Sequence, residues 1–287
     1  MRNSIPSQMK LIKELSVRPR RSLGQHFLID EKILDQIVRL GNFQKDDIVV
    51  EIGPGLGGMT TRLATEVEMV LAIEKDRKLV NLLRTQIIKE KRVKIIHQDA
   101  FHFDYQLAAI KTGRPLKIIG NLPFNIASPL TIELLNKGKC IEEMMFMYQK
   151  EVAERIMALP GSKNYGFLTV MANLYADIKP ILLVGKEAFY PQPKVESMVI
   201  NFKLLPNLRE ELENEKFFIM VVKSAFGQRR KKLRNALRSL KIGDLSAEFI
   251  ESVCNEVNID PNRRGETLNL KEFALLSNHL FSVLAKK

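Results

Sequence analysis

The amino-acid sequence predicts an α/β protein, a doubly wound parallel sheet followed by a small all-helical C-terminal domain. Three observations carry that prediction. The stretch EIGPGLGG, Glu51 to Gly58, stands between the β-branched run Ile48-Val49-Val50 and the helix-compatible MTTRLATEVE, which is the order strand, glycine-rich turn, helix. Short apolar runs then alternate with helical stretches as far as Gly161, the rhythm of a parallel sheet covered on both faces. Beyond Glu215 the apolar spacing is helical throughout.

Residues 1–24 are basic, with Lys10, Lys13, Arg18, Arg20 and Arg21 against Glu14, and read as an irregular arm, solvated or in contact with phosphate. The arm runs into GQHFL at Gly24 to Leu28. A helix follows, carried by Ile33, Leu34, Ile37 and Val38, with Asp30 as its N-cap and Gly41 as its stop. Strands are expected at Ile48–Ile52, Met69–Ile73, Val93–Ile96, Leu116–Ile119 and Ile141–Tyr148. Helices are expected after Gly58 and over Asp76–Glu90, Pro129–Asn136 and Lys150–Leu159. Ile181–Val184 and Ser197–Phe202 flank FYPQPKV and suggest a hairpin that closes the sheet. The expected division is an arm over 1–24, a catalytic domain over 25–205 and a helical domain over 206–287.

Composition narrows the function. The 287 residues hold 45 Lys+Arg against 33 Asp+Glu, a formal charge of +12 and a pI near 9.6, which favours a polyanionic partner. Cys140 and Cys254 form no CxxC pattern, so a reducing cytoplasm is expected rather than a disulfide framework. His26, His97, His102 and His279 lack metal-ligand spacing, and no metal is expected. Apolar runs such as Phe217 to Val222 are too short to span a bilayer, and the first twenty residues hold no apolar signal core.

The polar residues at the strand ends point to a ligand. In doubly wound sheets ligands sit over the carboxyl ends of the strands, where strand order reverses. Gly53, Gly55 and Gly58 let the chain turn sharply and approach a ligand closely. Glu74 ends the second strand, placed to accept both hydroxyls of a ribose; Asp99 follows the third strand and Asn121 the fourth. A dinucleotide and S-adenosylmethionine both suit such a constellation, and NLPF at Asn121 to Phe124 favours the second. The tetrapeptide matches the (N/D)-P-P-(Y/F) type motif of methyltransferases that act on ring-conjugated amines. An exocyclic adenine amine is a poor nucleophile because its lone pair is delocalised into the ring. Two acceptors on its N–H bonds, the Asn121 side chain and the Leu122 carbonyl, help it rehybridise, and Phe124 can stack on the base. Pro123 pushes Leu122 towards an extended conformation that presents its carbonyl.

On these blocks the chain resembles the small-subunit ribosomal RNA adenine N6-dimethyltransferase family. The match includes GQHFL, EIGPGLGG, IEKD, QDA at Gln98 to Ala100, NLPFNIASPL, FYPQPKVES, FGQRRKKLRNAL and PNRRGETL, in order along nearly the whole chain. The resemblance implies a Rossmann-like S-adenosylmethionine methyltransferase sheet. It implies dimethylation of two adjacent adenines in a hairpin loop near the 3′ end of small-subunit rRNA, in the immature subunit, by a cytoplasmic and monomeric enzyme. It places cofactor contacts on His26, Leu28, Gly53, Glu74, Asp99 and Asn121, catalysis on Asn121, Leu122 and Phe124, and Phe189 on the second face of the target base. Many members have Asn where this chain has His26, and Tyr where it has Phe124. The basic residues Arg229, Arg230, Lys231, Lys232, Arg234 and Arg238, with Arg263 and Arg264, are the expected rRNA contacts. Helical spacing would put Arg230, Arg234 and Arg238 on one face, with Leu233 and Leu237 turned to the core.

Three other functions fit parts of the pattern. An erythromycin-resistance type methyltransferase would modify a large-subunit adenine with similar chemistry, but QRRKKLRNAL and the helical tail favour the small-subunit family. A non-catalytic subunit-assembly factor would have no need of NLPF. A nicotinamide dehydrogenase would leave NLPF unexplained.

Overall fold

In the computed structural model, which describes residues 7–20, 23–240 and 245–285, the glycine turn leaves an inner strand of a seven-stranded sheet. The chain begins with α1 (Gln8–Glu14), the short strand β1 (Phe27–Leu28) and α2 (Glu31–Leu40). Then come β2 (Ile48–Ile52), α3 (Gly58–Glu66), β3 (Met69–Glu74), α4 (Arg77–Leu82, extended by a π-helical turn over Leu83–Ile87) and β4 (Val93–His97). The next elements are α5 (Tyr105–Thr112), β5 (Leu116–Asn121), α6 (Ala127–Leu135), β6 (Ile141–Gln149) and α7 (Lys150–Ile156). After α8 (Phe167–Tyr175) the chain adds β7 (Ala176–Val184), β8 (Phe189–Tyr190) and β9 (Ser197–Leu204).

The strand order is β4-β3-β2-β5-β6-β9-β7. The pairs β2–β3, β3–β4, β2–β5 and β5–β6 are parallel, and β9 runs antiparallel to β6. Every residue of β2 is buried, as is β5 up to Gly120 and β3 after Met69. Continuous apolar strands are what a sheet covered on both faces requires. The hairpin expected around FYPQPKV forms, with β9 lying between β6 and β7. A separate two-stranded ribbon pairs β1 with β8, setting Phe27 opposite Tyr190 and Leu28 opposite Phe189.

Strand order reverses between β2 and β5. From β2 the chain builds outward through β3 and β4, then returns to lay β5 on the other side of β2. The carboxyl ends of these two strands, Ile52 and Asn121, therefore face a common crevice. Gly120 allows the close approach there, since a Cβ on it would stand 2.7 Å from the Ile52 carbonyl oxygen.

The helix starts follow local side-chain chemistry. Asp30 accepts from the amides of Lys32 and Ile33 to cap α2, and Asp76 accepts from Lys78 to cap α4. The basic arm is not irregular where it is described, because residues 8–14 form α1. Leu11 and Ile12 are buried, and Ile12 joins a cluster with Phe27, Leu56 and Leu79. The Gln8 amide donates to Glu31. Glu31 is held in turn by Arg62 of α3, which also binds Asp35 at 2.5 Å and is only 7% exposed. Arg21 lies outside the described residues.

The chain divides into two compact units, 1–153 with 177–206, and 154–176 with 207–287. The expected boundary near 205 is thus one of several crossings, and α8 belongs with the C-terminal helices. Those helices are α9 (Glu215–Gly227), α10 (Leu233–Ala236), α11 (Ala247–Glu256) and α12 (Leu270–Ala285). Two sets of bonds explain the assignment of α8. Arg209 donates to the carbonyls of Asn173 and Ala176, and the Tyr175 hydroxyl donates to Glu215. The expected face shared by Arg230, Arg234 and Arg238 does not form. α9 stops at Gly227, and a new helix starts only at Leu233, whose amide, like that of Arg234, is taken by carbonyls of the Pro261–Arg263 loop. Arg230 therefore sits in the turn, while Leu233 and Leu237 are fully buried as the spacing predicted.

Candidate active site

A cleft opens where the strand order reverses, lined by residues from the β1 segment, the glycine turn, the ends of β3 and β4, and the NLPF turn after β5. His26, Leu28, Gly53, Glu74, Asp99, Asn121, Leu122 and Phe124 all line it. The topology thus gathers residues spread over almost a hundred positions at one crevice.

Gly53 and Gly55 have φ of +70° and +57°, left-handed backbone that disfavours any side chain. A Cβ on Gly53 would meet nothing nearer than the Asn121 carbonyl at 3.9 Å, so the turn leaves open space beside its backbone. Gly58 plays another part, because a Cβ there would stand 2.9 Å from Leu34 and 3.0 Å from the Gln8 side chain.

Glu74 is 6% exposed. Burial pushes its carboxyl up to about 7, even though the Asp76 amide donates to it at 2.7 Å and the nearby Gly55 and Lys75 amides also favour its charged form. Glu51, fully buried on β2, is likewise pushed up to about 7 by burial, against the Thr60 hydroxyl that donates to it at 2.5 Å. Among the described residues its Oε1 has no hydrogen-bond partner, and it stays outside the cleft lining. Burial also acts upward on Asp99. The Lys75 ammonium at 2.7 Å and the Phe101 amide nevertheless hold its carboxyl below the usual carboxylate range.

At the end of β5, the Asn121 side-chain amide donates to the His26 backbone carbonyl at 3.0 Å. That bond commits Nδ2 and leaves Oδ1 as the acceptor. Among the described residues no backbone amide donates to the Leu122 carbonyl, while the Pro123 carbonyl receives the amides of Ile126 and Ala127 at the start of α6. Phe124 is half-buried and stacks on the His26 imidazole, with ring centroids 5.5 Å apart and planes 25° apart. His26 Nδ1 lies 2.7 Å from the Pro191 carbonyl oxygen.

Phe189 does not reach the cleft. It is 4% exposed and sits in the core cluster with Leu28, Leu34 and Met147. Side chains alternate along a strand, and the pairing of Phe189 with Leu28 turns it inward while Tyr190 is left 40% exposed. Cleft residues that sequence reasoning missed include Gln8, Gln25, Phe27 and Lys75. Gln25 and Phe27 lie within the GQHFL block and Lys75 within IEKD, so those motifs marked their neighbourhoods. Nothing in the sequence marked Gln8.

Among the described residues no group of His, Cys, Asp and Glu is arranged to hold a metal. None of the helices described is long and apolar enough to cross a membrane. The basic residues of the second unit fall into two groups. Arg229 donates to Glu266 and to the carbonyls of Lys163 and Tyr165, and Arg263 grips Glu272 and Thr267. Arg234 pairs with Glu251 at 2.8 Å, and Lys232 donates to Asn262. By contrast, Arg230, Lys231, Arg238 and Arg264 are exposed, and among the described residues they make no side-chain hydrogen bond or ion pair that holds them in place.

Fold and cleft together define a methyltransferase of the class that uses S-adenosylmethionine. The residues present suit that cofactor, with a glycine turn free of Cβ atoms for its backbone-like portion and a buried carboxylate for its ribose. The chain matches the family Ribosomal RNA adenine dimethylase over residues 17–275, and it belongs to that family. It is 39% identical to the Ribosomal RNA small subunit methyltransferase A of Clostridium acetobutylicum over 272 residues, covering 95% of this chain and 97% of the relative. With the protein of the same name from Alkaliphilus metalliredigens it shares 40% over 278 residues, covering 96% of each chain. A dimethyladenosine transferase from Plasmodium falciparum has the same fold, with a TM-score of 0.70 at 22% identity over 86% of this chain and 94% of that one. The 23S rRNA methyltransferase ErmE aligns with a TM-score of 0.65 at 20% identity, over 89% and 99% of the two chains.

Proposed function

We propose that this protein transfers methyl groups from S-adenosylmethionine to N6 of two adjacent adenosines in a hairpin loop near the 3′ end of small-subunit rRNA, acting on the immature subunit as a cytoplasmic monomer. The observation that carries the reading is the hydrogen bond from Asn121 to the His26 carbonyl. It orients the amide so that Oδ1 accepts from one N6–H bond, while the Leu122 carbonyl accepts from the other. Draining both N–H bonds returns electron density to the amine, and placing these acceptors in advance removes the cost of reorganising them. Phe124 holds the base by stacking. The cofactor supplies an electrophilic methyl group on a sulfonium. Glu74 accepts from its ribose, and Leu28, Gly53, Asp99 and the His26 segment line the remainder of its cleft.

Arg230, Lys231, Arg238 and Arg264 are the proposed phosphate contacts, because their charges remain available to a polyanion. Arg229, Lys232, Arg234 and Arg263 act mainly by holding the second unit's loops in shape. Methyl transfer from labelled S-adenosylmethionine to immature small subunits and to large-subunit rRNA, followed by digestion to nucleosides, tests the proposal. The expected product is N6,N6-dimethyladenosine from the small subunit alone. Label in large-subunit rRNA, or in a base other than adenine, would contradict it.

A further inference from the structure

We propose that Gln8 of α1 and the first turn of α3 together bind the carboxylate at the amino-acid end of S-adenosylmethionine, an inference that rests on the cofactor assigned above. Gln8 is 3% exposed and lines the cleft. Its backbone amide donates to Glu31, yet among the described residues its side chain makes no hydrogen bond. A buried carboxamide without partners is costly and rare, so this one calls for a ligand. Other polar side chains of the lining are already committed. Gln25 accepts from the Arg20 amide, Lys75 pairs with Asp99, Gln98 donates to the His102 carbonyl and Asn121 to the His26 carbonyl.

A second observation points to the same place without involving Gln8. α3 starts at Gly58 with Gly57 as its N-cap, and no side chain caps it. Gly58 and Met59 both line the cleft, and among the described residues nothing accepts from their amides. Free amides and the helix dipole favour an anion at that end. The Gln8 carboxamide lies against it, since a Cβ on Gly58 would stand 3.0 Å from Gln8 Cδ and 3.1 Å from Oε1. Three bonds hold this arrangement. The Gln8 amide donates to Glu31 at 2.8 Å, and Arg62 donates to Glu31 at 2.7 Å and to the Gly58 carbonyl at 2.8 Å. The Arg62 charge is balanced by Glu31 and Asp35, which leaves an incoming carboxylate to the neutral donors, Gln8 Nε2 and the α3 amides. The strand order says which part of the cofactor arrives there. Glu74 at the end of β3 marks the ribose, and Asn121 at the end of β5 marks the methyl group. Between them lies the glycine turn of β2, with α3 directly beyond it. The remaining substituent of the sulfonium is the amino-acid chain, and its carboxylate is the anion that suits this end.

Calorimetric titration of the whole chain, without RNA, tests the assignment with two ligands. One is S-adenosylmethionine. The other is its decarboxylated form, which keeps the ammonium and lacks only the carboxylate. Gln8→Ala should weaken S-adenosylmethionine by about tenfold to a hundredfold, the scale of a hydrogen bond to a charged group, and the decarboxylated form by less than about threefold. Gln8→Glu, of nearly the same size, sets one carboxylate against another. It should weaken S-adenosylmethionine at least as much while binding the decarboxylated form as tightly as wild type does or more so. Unchanged affinity for S-adenosylmethionine in Gln8→Ala would overturn the inference. Equal losses for both ligands would overturn it too, because that is what a loosened α1 alone would produce. If the wild type bound neither ligand, the cofactor assignment itself would fall, and this inference with it.

Discussion

Glu74 illustrates how a single residue takes its chemistry from where the fold puts it. On the surface it would be an ordinary carboxylate; at the buried end of β3 its carboxyl is pushed up to about 7. Ribose hydroxyls donate to the ionised form and so favour it, which lowers the carboxyl's pKa in the bound state. Affinity for S-adenosylmethionine should therefore rise with pH through this range, by about tenfold between roughly pH 6 and pH 8, and flatten above it. Calorimetric titration at several pH values checks this, and Glu74→Gln should bind weakly with that dependence removed. Phe124 makes the second prediction at this scale. Phe124→Ala should weaken base capture by about 1–3 kcal/mol, the usual worth of aromatic stacking, read as the methylation rate at limiting subunit concentration.

At the scale of elements, β2 to β6 could be read from sequence because each is mostly apolar, and β3, β4 and β5 stop at a polar residue, Glu74, His97 or Asn121. Helix α1 could not. Its apolar positions, Met9, Leu11 and Ile12, are few and sit among basic residues, and only a cluster formed with Phe27, Leu56 and Leu79 makes burying them worthwhile. The face taken by Phe189 was hidden for a similar reason, since its direction depends on pairing with Leu28, 161 positions earlier in the chain. The basic segment looked uniform in sequence, yet its members do different work. Neutralising Arg230, Lys231 and Arg264 together should flatten the logarithmic salt dependence of rRNA binding by about 0.7–0.9 for each phosphate that is no longer neutralised, with folding stability unchanged. Arg263→Ala should do the opposite. Without its hydrogen bonds to Glu272 and Thr267 the second unit should be less stable by about 1.5–3 kcal/mol, measured by thermal unfolding, with little change in the salt slope.

For the whole molecule, doubly wound topology does the essential work of bringing Gly53, Glu74, Asp99 and Asn121 to one crevice. The motifs marked those residues in the sequence, and their order on successive strand ends made the cleft predictable. The division into units was less visible. Residues 154–176 lie between two strands of the sheet in sequence, β6 and β7, but α8 is held by Arg209 and Glu215, and such distant partners leave no local signature. The orientation of Asn121 was equally hidden, because it depends on a carbonyl 95 positions away. The account turns on that orientation. Its most direct test is the Asn121→Ala variant, with cofactor affinity and the rate of N6,N6-dimethyladenosine formation in immature small subunits measured on the same preparation. The predicted result is S-adenosylmethionine affinity within a few-fold of wild type and turnover lower by about a hundred- to a thousand-fold, the cost of losing one preorganised transition-state hydrogen bond. Turnover at the wild-type rate would contradict it.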